Sequence, residues 1–426
     1  MLEDYQRMVS LCSKCGGCRV AYRQNLASCP SGDKFVLDSY YALGRMEIAR
    51  SLIEGRLEWS KKIAQRFYTC LLCRQCEAHC YDTMGLRTSE VFLEVRRELV
   101  KRGLGPPPEQ NPMIESIKQY DNPYLGDPKN RGKWARNFDD VKSAGDATDT
   151  LFFVGCAIDF DPSATFIARS TASLLNKSGI DWGILGEKEI CCGFPVLEQG
   201  CEEEFKRLAE DNLRRLNQLP GVKTIVTACP GCYHTIKQHW SRYGALNPEL
   251  FYITEYLHKL IEKGRLRITG GYSQKLTLHD ACLLGRYNGM YDAPREILKA
   301  IPGVELVEME RSRQEAWCCG AGGGVFMAYP EWASEVATQR LEEAVDTASA
   351  NVLVMNSCPM GNLSFDVALH GYGSAVKLYR EVWRRLPSTA KFLSLAHKVS
   401  APLLKRHKKI DIQVVDLTAL LDQVTE

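Results

Sequence analysis

The chain has 426 residues and a formal net charge of +2, with 45% hydrophobic and 25% charged side chains. That length exceeds what one core usually holds, so two to three domains are expected, and the composition excludes a mostly disordered or collagen-like chain. The near-neutral balance argues against a dedicated nucleic-acid binder, and no apolar run reaches the ~18 residues needed to cross a bilayer.

The start carries Glu3 and Asp4 and no apolar stretch, so it does not read as a secretory signal. A cytoplasmic, reducing setting is expected. There, the 18 cysteines read as metal ligands or catalytic groups rather than disulfides.

In chain order, Cys12, Cys15 and Cys18 form C-x2-C-x2-C. Cys29 follows the insertion RVAYRQNLAS and stands directly before Pro30. ALGRMEIARSLIEGRL then reads as an amphipathic helix. Cys70, Cys73, Cys76 and Cys80 form C-x2-C-x2-C-x3-C, the ligand run of bacterial-type [4Fe–4S] ferredoxins, although Tyr81 stands where proline often follows. The two-cluster crossover expects one cubane on Cys12, Cys15, Cys18 and Cys80, and the other on Cys70, Cys73, Cys76 and Cys29. Zinc knuckles are the alternative, but they usually pair two C-x2-C halves across a longer gap. RTSEVFLEVRRELVKRG reads as a second helix, with Ser89 as cap and Gly103 as stop. Lys14, Arg19 and Arg74, beside the cysteines, are either cations that offset cluster charge or plain solvated residues.

Residues 104–148 are rich in proline, glycine and charge and read as a linker draped over a surface. Strands alternating with helices follow. LFFVG leads to Cys156, ICCGFP holds Cys191 and Cys192, and TIVTA leads to Cys229-Pro-Gly-Cys232. The pattern restarts: LTLHD leads to Cys282, WCCGAGGG holds Cys318 and Cys319, and VLVMNS leads to Cys358-Pro. The offset stays close to 127 residues (Cys156 to Cys282, Cys191 to Cys318, Cys229 to Cys358). That is an internal repeat of one α/β unit, with cysteines at strand ends where loops build sites. Gly361 occupies the last cysteine position of the second copy.

The pattern Cys…Cys-Cys-Gly…Cys-Pro-x-Cys resembles the cysteine-rich CCG domain. Two copies behind a two-cluster ferredoxin module resemble the heterodisulfide reductase D-type chains and the iron–sulfur subunits of glycolate oxidase and anaerobic glycerol-3-phosphate dehydrogenase. The expected fold is therefore α+β and multidomain. A helical two-[4Fe–4S] ferredoxin domain covers 1–103 and a linker 104–148. Two repeated α/β CCG domains in pseudo-two-fold relation cover 149–270 and 271–426. The resemblance implies a noncubane [4Fe–4S] cluster on Cys156, Cys191, Cys192, Cys229 and Cys232. Cys282, Cys318, Cys319 and Cys358 are left to hold a further cluster or a zinc ion, or nothing.

His279, just before Cys282, is either a proton donor to a product thiolate or a strand-end residue bonded to backbone. His234 is a weaker candidate of the same kind. The glycines of AGGGVF read as room for backbone to approach a cluster. Cys201 reads as a buried small apolar side chain. Comparing the copies leaves a basic helical insertion over about 370–409. Its stretch Lys377 to Lys409 holds ten Lys or Arg and one acid, Glu381, and suits an acidic partner subunit or an anionic membrane face.

No nicotinamide or flavin fingerprint appears. The expected function is an iron–sulfur electron-transfer subunit of a larger oxidoreductase. It would pass electrons between a flavoprotein or other redox partner and the noncubane site through the two cubanes. Peripheral contact with the inner membrane face would be through a partner. A catalytic disulfide reductase subunit and a zinc-organised, non-redox interaction protein are the alternatives.

Overall fold

The computed structural model describes residues 1–21, 26–81, 84–138, 141–143, 148–347, 350–370, 410 and 412–426. The basic insertion expected over about 370–409 lies almost wholly outside the described residues. Among them, no helix is long and apolar enough to cross a membrane.

The amino-terminal module is helical apart from one short hairpin, β1 (Val20–Ala21) with β2 (Leu26–Ala27). Its core lies between the helices Ala42–Ile53, Lys61–Tyr68 and Thr88–Lys101. Ser60 accepts the Ile63 N–H and caps the second of these. Val91, Phe92, Val95 and Leu99 make one buried stripe on the third, each contributing roughly 1.5–3 kcal/mol by burial. That helix begins at Thr88 behind Arg87, so Ser89 is not its cap; the Ser89 amide donates to Glu77 instead. Gly103, at φ +65°, closes the helix end.

Two parallel sheets follow. The first holds β3 (Lys142–Ser143), β4 (Thr150–Phe152), β5 (Trp182–Ile184), β6 (Thr224–Thr227) and β7 (Glu249–Tyr252) in the order β3-β5-β4-β6-β7. The second holds β8 (Lys275–His279), β9 (Glu305–Leu306), β10 (Val352–Met355) and β11 (Gln413–Asp416) in the order β11-β10-β8-β9. Apart from the added edge strand β3, both copies run second–first–third–fourth. β10 is buried along its whole length, as a strand covered on both faces should be.

The copies pack reciprocally. The last helix of the first, Ile253–Glu262, lies on the helix Asp292–Ala300 of the second. The last helix of the second, Leu417–Gln423, lies on the helix Thr165–Lys177 of the first. This exchange of equivalent surfaces is what a pseudo-two-fold relation requires. One apolar core, from Phe152 and Val226 to Leu278 and Val354, spans both sheets.

The stretch 104–148 departs from its reading as a surface linker. It carries the helix Asn111–Tyr120, which buries Met113, Ile114 and Ile117, and it buries Trp134 in the shared core. It also supplies β3. Its proline and glycine shape turns between packed pieces, and four large apolar side chains outweigh the linker-like composition.

Candidate functional site

No disulfide joins the described cysteines, and Cys15 alone among them is exposed. Cys12, Cys15, Cys18 and Cys80 line one small cavity, with Cys76 at its wall. Cys29, Cys70, Cys73 and Cys76 line another. Both cysteine runs turn the same way. Lys14 and Leu72, two residues after the first cysteine of each run, have φ +59° and +50°. Gly16 and Arg74, just after the second cysteine, have φ +81° and +61°. Left-handed residues other than glycine cost ~1 kcal/mol and persist where the surroundings hold them. Here the turn aims backbone amides inward, and the Leu72 amide lies 3.4 Å from Cys70 Sγ.

The first repeat brings Cys156, Cys191, Cys192, Cys229 and Cys232 to the strand ends. They line a cavity of about 140 Å³. Their thiols form a string of side-chain contacts: Cys156 with Cys191, Cys191 with Cys192, Cys192 with Cys232, and Cys232 with Cys229. A Cβ on Gly155 would stand 2.9 Å from Cys232 Sγ, and φ there is +82°, so only glycine fits that approach. The far wall comes from the second repeat, with Ala321, Phe326 and Met360.

In the second repeat, Cys282 and Cys358 both face Cys319, and Cys318 touches Cys319. The glycine after each cysteine pair acts alike: Gly193 and Gly320 donate to Cys191 Sγ and Cys318 Sγ, both at 3.4 Å. A side chain at the position of the missing cysteine would need the end of Met355 to shift. A Cβ on Gly361 would lie 2.7 Å from Met355 Cε and 3.1 Å from Cys358 Sγ.

The sets adjoin. Cys73 of the amino-terminal module touches Cys318, and this contact holds its thiol down at about 6. Cys358 stands close enough to Cys229 to feel its charge. Gly322 and Gly323 of AGGGVF press on the backbone of Cys70 and Leu71, so these glycines chiefly serve a domain contact.

Three residues at the site had no sequence signal beyond their charge. Arg131, from the supposed linker, donates to Cys156 Sγ at 3.1 Å and reaches Asp159 and Glu189. Glu189 accepts from the Val154 and Gly155 amides, and burial pushes its carboxyl up to about 7 despite Arg131. Arg286 donates to Cys73 O at 2.6 Å and sits in the field of Cys73, Cys282 and Cys318. The cations singled out by position are paired elsewhere: Lys14 with Glu47, Arg19 with Asp38, and Arg74 with Glu77.

His279 ends β8 fully buried. Arg340 donates to its Nδ1 at 3.2 Å, and the ring contacts Cys319. Burial keeps it below the usual histidine range, and it is not part of the lining of the 140 Å³ cavity. His234 is also buried, 3.2 Å from His239 between Nε2 atoms. Cys201 precedes the helix Glu202–Asn217, and burial raises its thiol to about 11.

Thiol-only donor sets, with amides turned toward sulfur, fit iron–sulfur clusters. Zinc would draw four thiolates to ~2.3 Å of one point. The two amino-terminal cavities give a direct test. Cys80→Ser with Cys12→Ser is expected to lose about four irons per chain, no more than either alone. Cys80→Ser with Cys29→Ser is expected to lose about twice that. Iron and acid-labile sulfide per chain read the result.

The cysteine-rich CCG domain matches at residues 150–237 and again at 276–361. The chain is 37% identical over 295 residues to the D chain of the dihydromethanophenazine:CoB–CoM heterodisulfide reductase of Methanosarcina barkeri, covering 68% of this chain and 70% of that protein. It is 36% identical over 304 residues to "Probable iron-sulfur-binding oxidoreductase FadF" of Bacillus subtilis, covering 69% of this chain and 42% of that protein. It is 33% identical over 267 residues to "EtfAB:quinone oxidoreductase" of Syntrophomonas wolfei, covering 61% and 37%.

Proposed function

The chain belongs to the CCG-domain family of heterodisulfide reductase D-type proteins, and from that relationship we propose that it is the iron–sulfur electron-transfer subunit of a multi-subunit oxidoreductase. The observation that carries the reading is the approach of the thiol sets to one another: Cys76 lines both amino-terminal cavities, Cys73 touches Cys318, and Cys358 lies within the field of Cys229. Two cubanes would be held by Cys12, Cys15, Cys18 and Cys80 and by Cys29, Cys70, Cys73 and Cys76. A noncubane cluster would be held by the five thiols of the first repeat. When bound, such clusters accept and release single electrons.

The chain's own residues set the conditions. Arg286 and Arg131 place guanidinium charge beside thiols at two of these positions, which favours a reduced, more negative site. The thiols of both repeats are buried or half-buried, which leaves Cys15, at the protein surface, as the natural edge for a partner. A flavoprotein or other redox subunit is the partner proposed for that edge. His279 positions Cys319 in this reading.

The thiols of the second repeat meet the module through Cys73 and Cys318 and come within the field of the first repeat through Cys358 and Cys229, which puts the four on the proposed route. A structural zinc there would interrupt the row. Anaerobically prepared protein is expected to hold about sixteen irons per chain and no zinc, at four irons for each set. About twelve irons and one zinc would overturn the place given to the second repeat. Colourless, zinc-only protein would overturn the electron-transfer reading altogether.

A second reading, disulfide cleavage at the first repeat, draws support from one feature. The 140 Å³ cavity beside the five thiols has walls from both repeats. Spectra of the reduced protein that change on adding a mixed disulfide would favour it. Spectra indifferent to thiols and disulfides leave the relay alone standing.

A further inference from the structure

A second cavity adjoins the one that the five thiols line. A cavity of about 250 Å³ opens where the three parts of the chain meet. Tyr5, Arg74, Glu90 and Arg97 come from the helical module, and His234, His239 and Arg242 from the first repeat. Tyr287 comes from the second repeat. Its lining is as much polar as apolar in character, unlike the apolar cavity at the five thiols, so it suits water.

Glu198 lines both cavities. It sits on the short helix Phe194–Gln199, six residues after Cys192. Its Oε1 accepts from the Gly323 amide at 3.0 Å, which ties the carboxyl to the second repeat. Arg96 donates to its backbone carbonyl at 2.7 Å, and Cys319 and Cys282 lie within its field. The residue keeps part of its surface accessible although protein surrounds it, as befits a side chain standing between two cavities.

A buried site that gains electrons must also gain protons, or it accumulates negative charge in a low dielectric. Among the described residues, the apolar cavity offers no other carboxyl in its lining. We propose that Glu198 is the proton-delivering residue for reduction at the first repeat, and that it is recharged with protons from the 250 Å³ cavity. This rests on the electron-transfer reading above. For each electron that reaches an acceptor in the inner cavity, the Glu198 carboxylic acid gives one proton to it. The resulting carboxylate then takes one proton from water in the outer cavity. For a disulfide acceptor the sum is R–S–S–R′ + 2 e⁻ + 2 H⁺ → R–SH + R′–SH. Both electrons come from the redox partner, and both protons pass through the carboxyl in turn.

Burial holds this carboxyl up at about 7, so it is both acid and base near neutrality, as a relay needs. An acid whose folded value lies above its unfolded one binds more protons when folded. Its ionisation therefore costs stability as pH rises from about 4.5 to about 7, and the cost is constant above that. Glu198→Gln keeps an acceptor for Gly323 and removes that cost, so the variant is expected to fold at least as well at pH 8.

The test uses the full chain with its clusters. Wild type is expected to show a protonated-carboxyl infrared band that titrates away near neutral pH, and E198Q to lack it. On mixing with dithionite, reduction at the first repeat is expected to slow about 100-fold in E198Q and to lose its solvent deuterium effect. Reduction of the two amino-terminal sets is expected to be unchanged. An unchanged rate and isotope effect in E198Q, or a wild-type band that persists through pH 9, overturns the proposal. A wild-type first repeat that no reductant reaches overturns the electron-transfer reading itself, which is a separate outcome.

Discussion

Arg96→Met is expected to destabilise the chain by about 4 kcal/mol or more, among the largest effects a single substitution can have. Arg96 is wholly buried on the helix Thr88–Lys101. Its Nη1 donates to the carbonyls of Glu198 and Gly323, at 2.7 and 3.0 Å. Its Nη2 donates to those of Phe67 and Cys70, at 2.8 and 2.6 Å. One side chain thus joins the helical module, the first repeat and the second repeat. Charge-assisted hydrogen bonds contribute about 1.5–3 kcal/mol each, and methionine would leave four buried carbonyls without a donor. The denaturation midpoint of the anaerobic protein measures the loss. Proteolysis between the module and the sheets is expected to rise with it. A midpoint within experimental error of wild type would show that the carbonyls find other donors.

Arg131→Met is expected to cost about 3–5 kcal/mol and to strip iron from the first repeat. The guanidinium is buried against Asp159, Glu189 and Cys156 Sγ. Removing it strands two carboxylates and a thiolate in a low dielectric. Burial already raises Glu189 to about 7, and the loss of Arg131 raises it further. The variant's stability should therefore fall more steeply than wild type as pH rises through that range, because the folded state holds the extra proton. Combining Arg131→Met with Glu189→Gln should recover part of the loss. Iron per chain should stay low, since the thiolate of Cys156 still lacks its donor. Full iron in Arg131→Met would make the residue a structural ion-pair partner and no more.

The grouping of the cysteines was legible in the sequence because it is local. Cysteines two or three residues apart can share a turn, and their spacing survives whatever surrounds them. The left-handed residues at Lys14, Gly16, Leu72 and Arg74 carry out what that spacing implies. The repeat was legible for a related reason: each copy must bring the ends of parallel strands to one edge, so cysteines recur at strand ends at a near-constant interval. The resemblance to the heterodisulfide reductase D-type chains rested on these motifs, and the family match agrees with it.

What composition suggested for residues 104–148 failed because burial depends on neighbours. Proline and glycine are compatible with a linker and with turns between packed pieces alike. Only the presence of the first sheet made Ile117 and Trp134 core residues. Ser89 looked like a helix cap, but the acceptor its amide needed was the Glu77 carboxylate from an adjacent helix.

By itself, then, the sequence determined the grouping of the cysteines into runs, the α/β repeat and the glycine at 361 where the first copy has a cysteine. The tertiary structure alone decided which sets adjoin, through the Cys73–Cys318 contact across nearly 250 residues of chain. It also decided which ordinary charged residues matter. Arg131, Arg286 and Glu198 carry no motif, since a charge gains its effect from the few ångströms of buried protein around it. That surrounding is assembled from distant segments, so no local pattern can announce it.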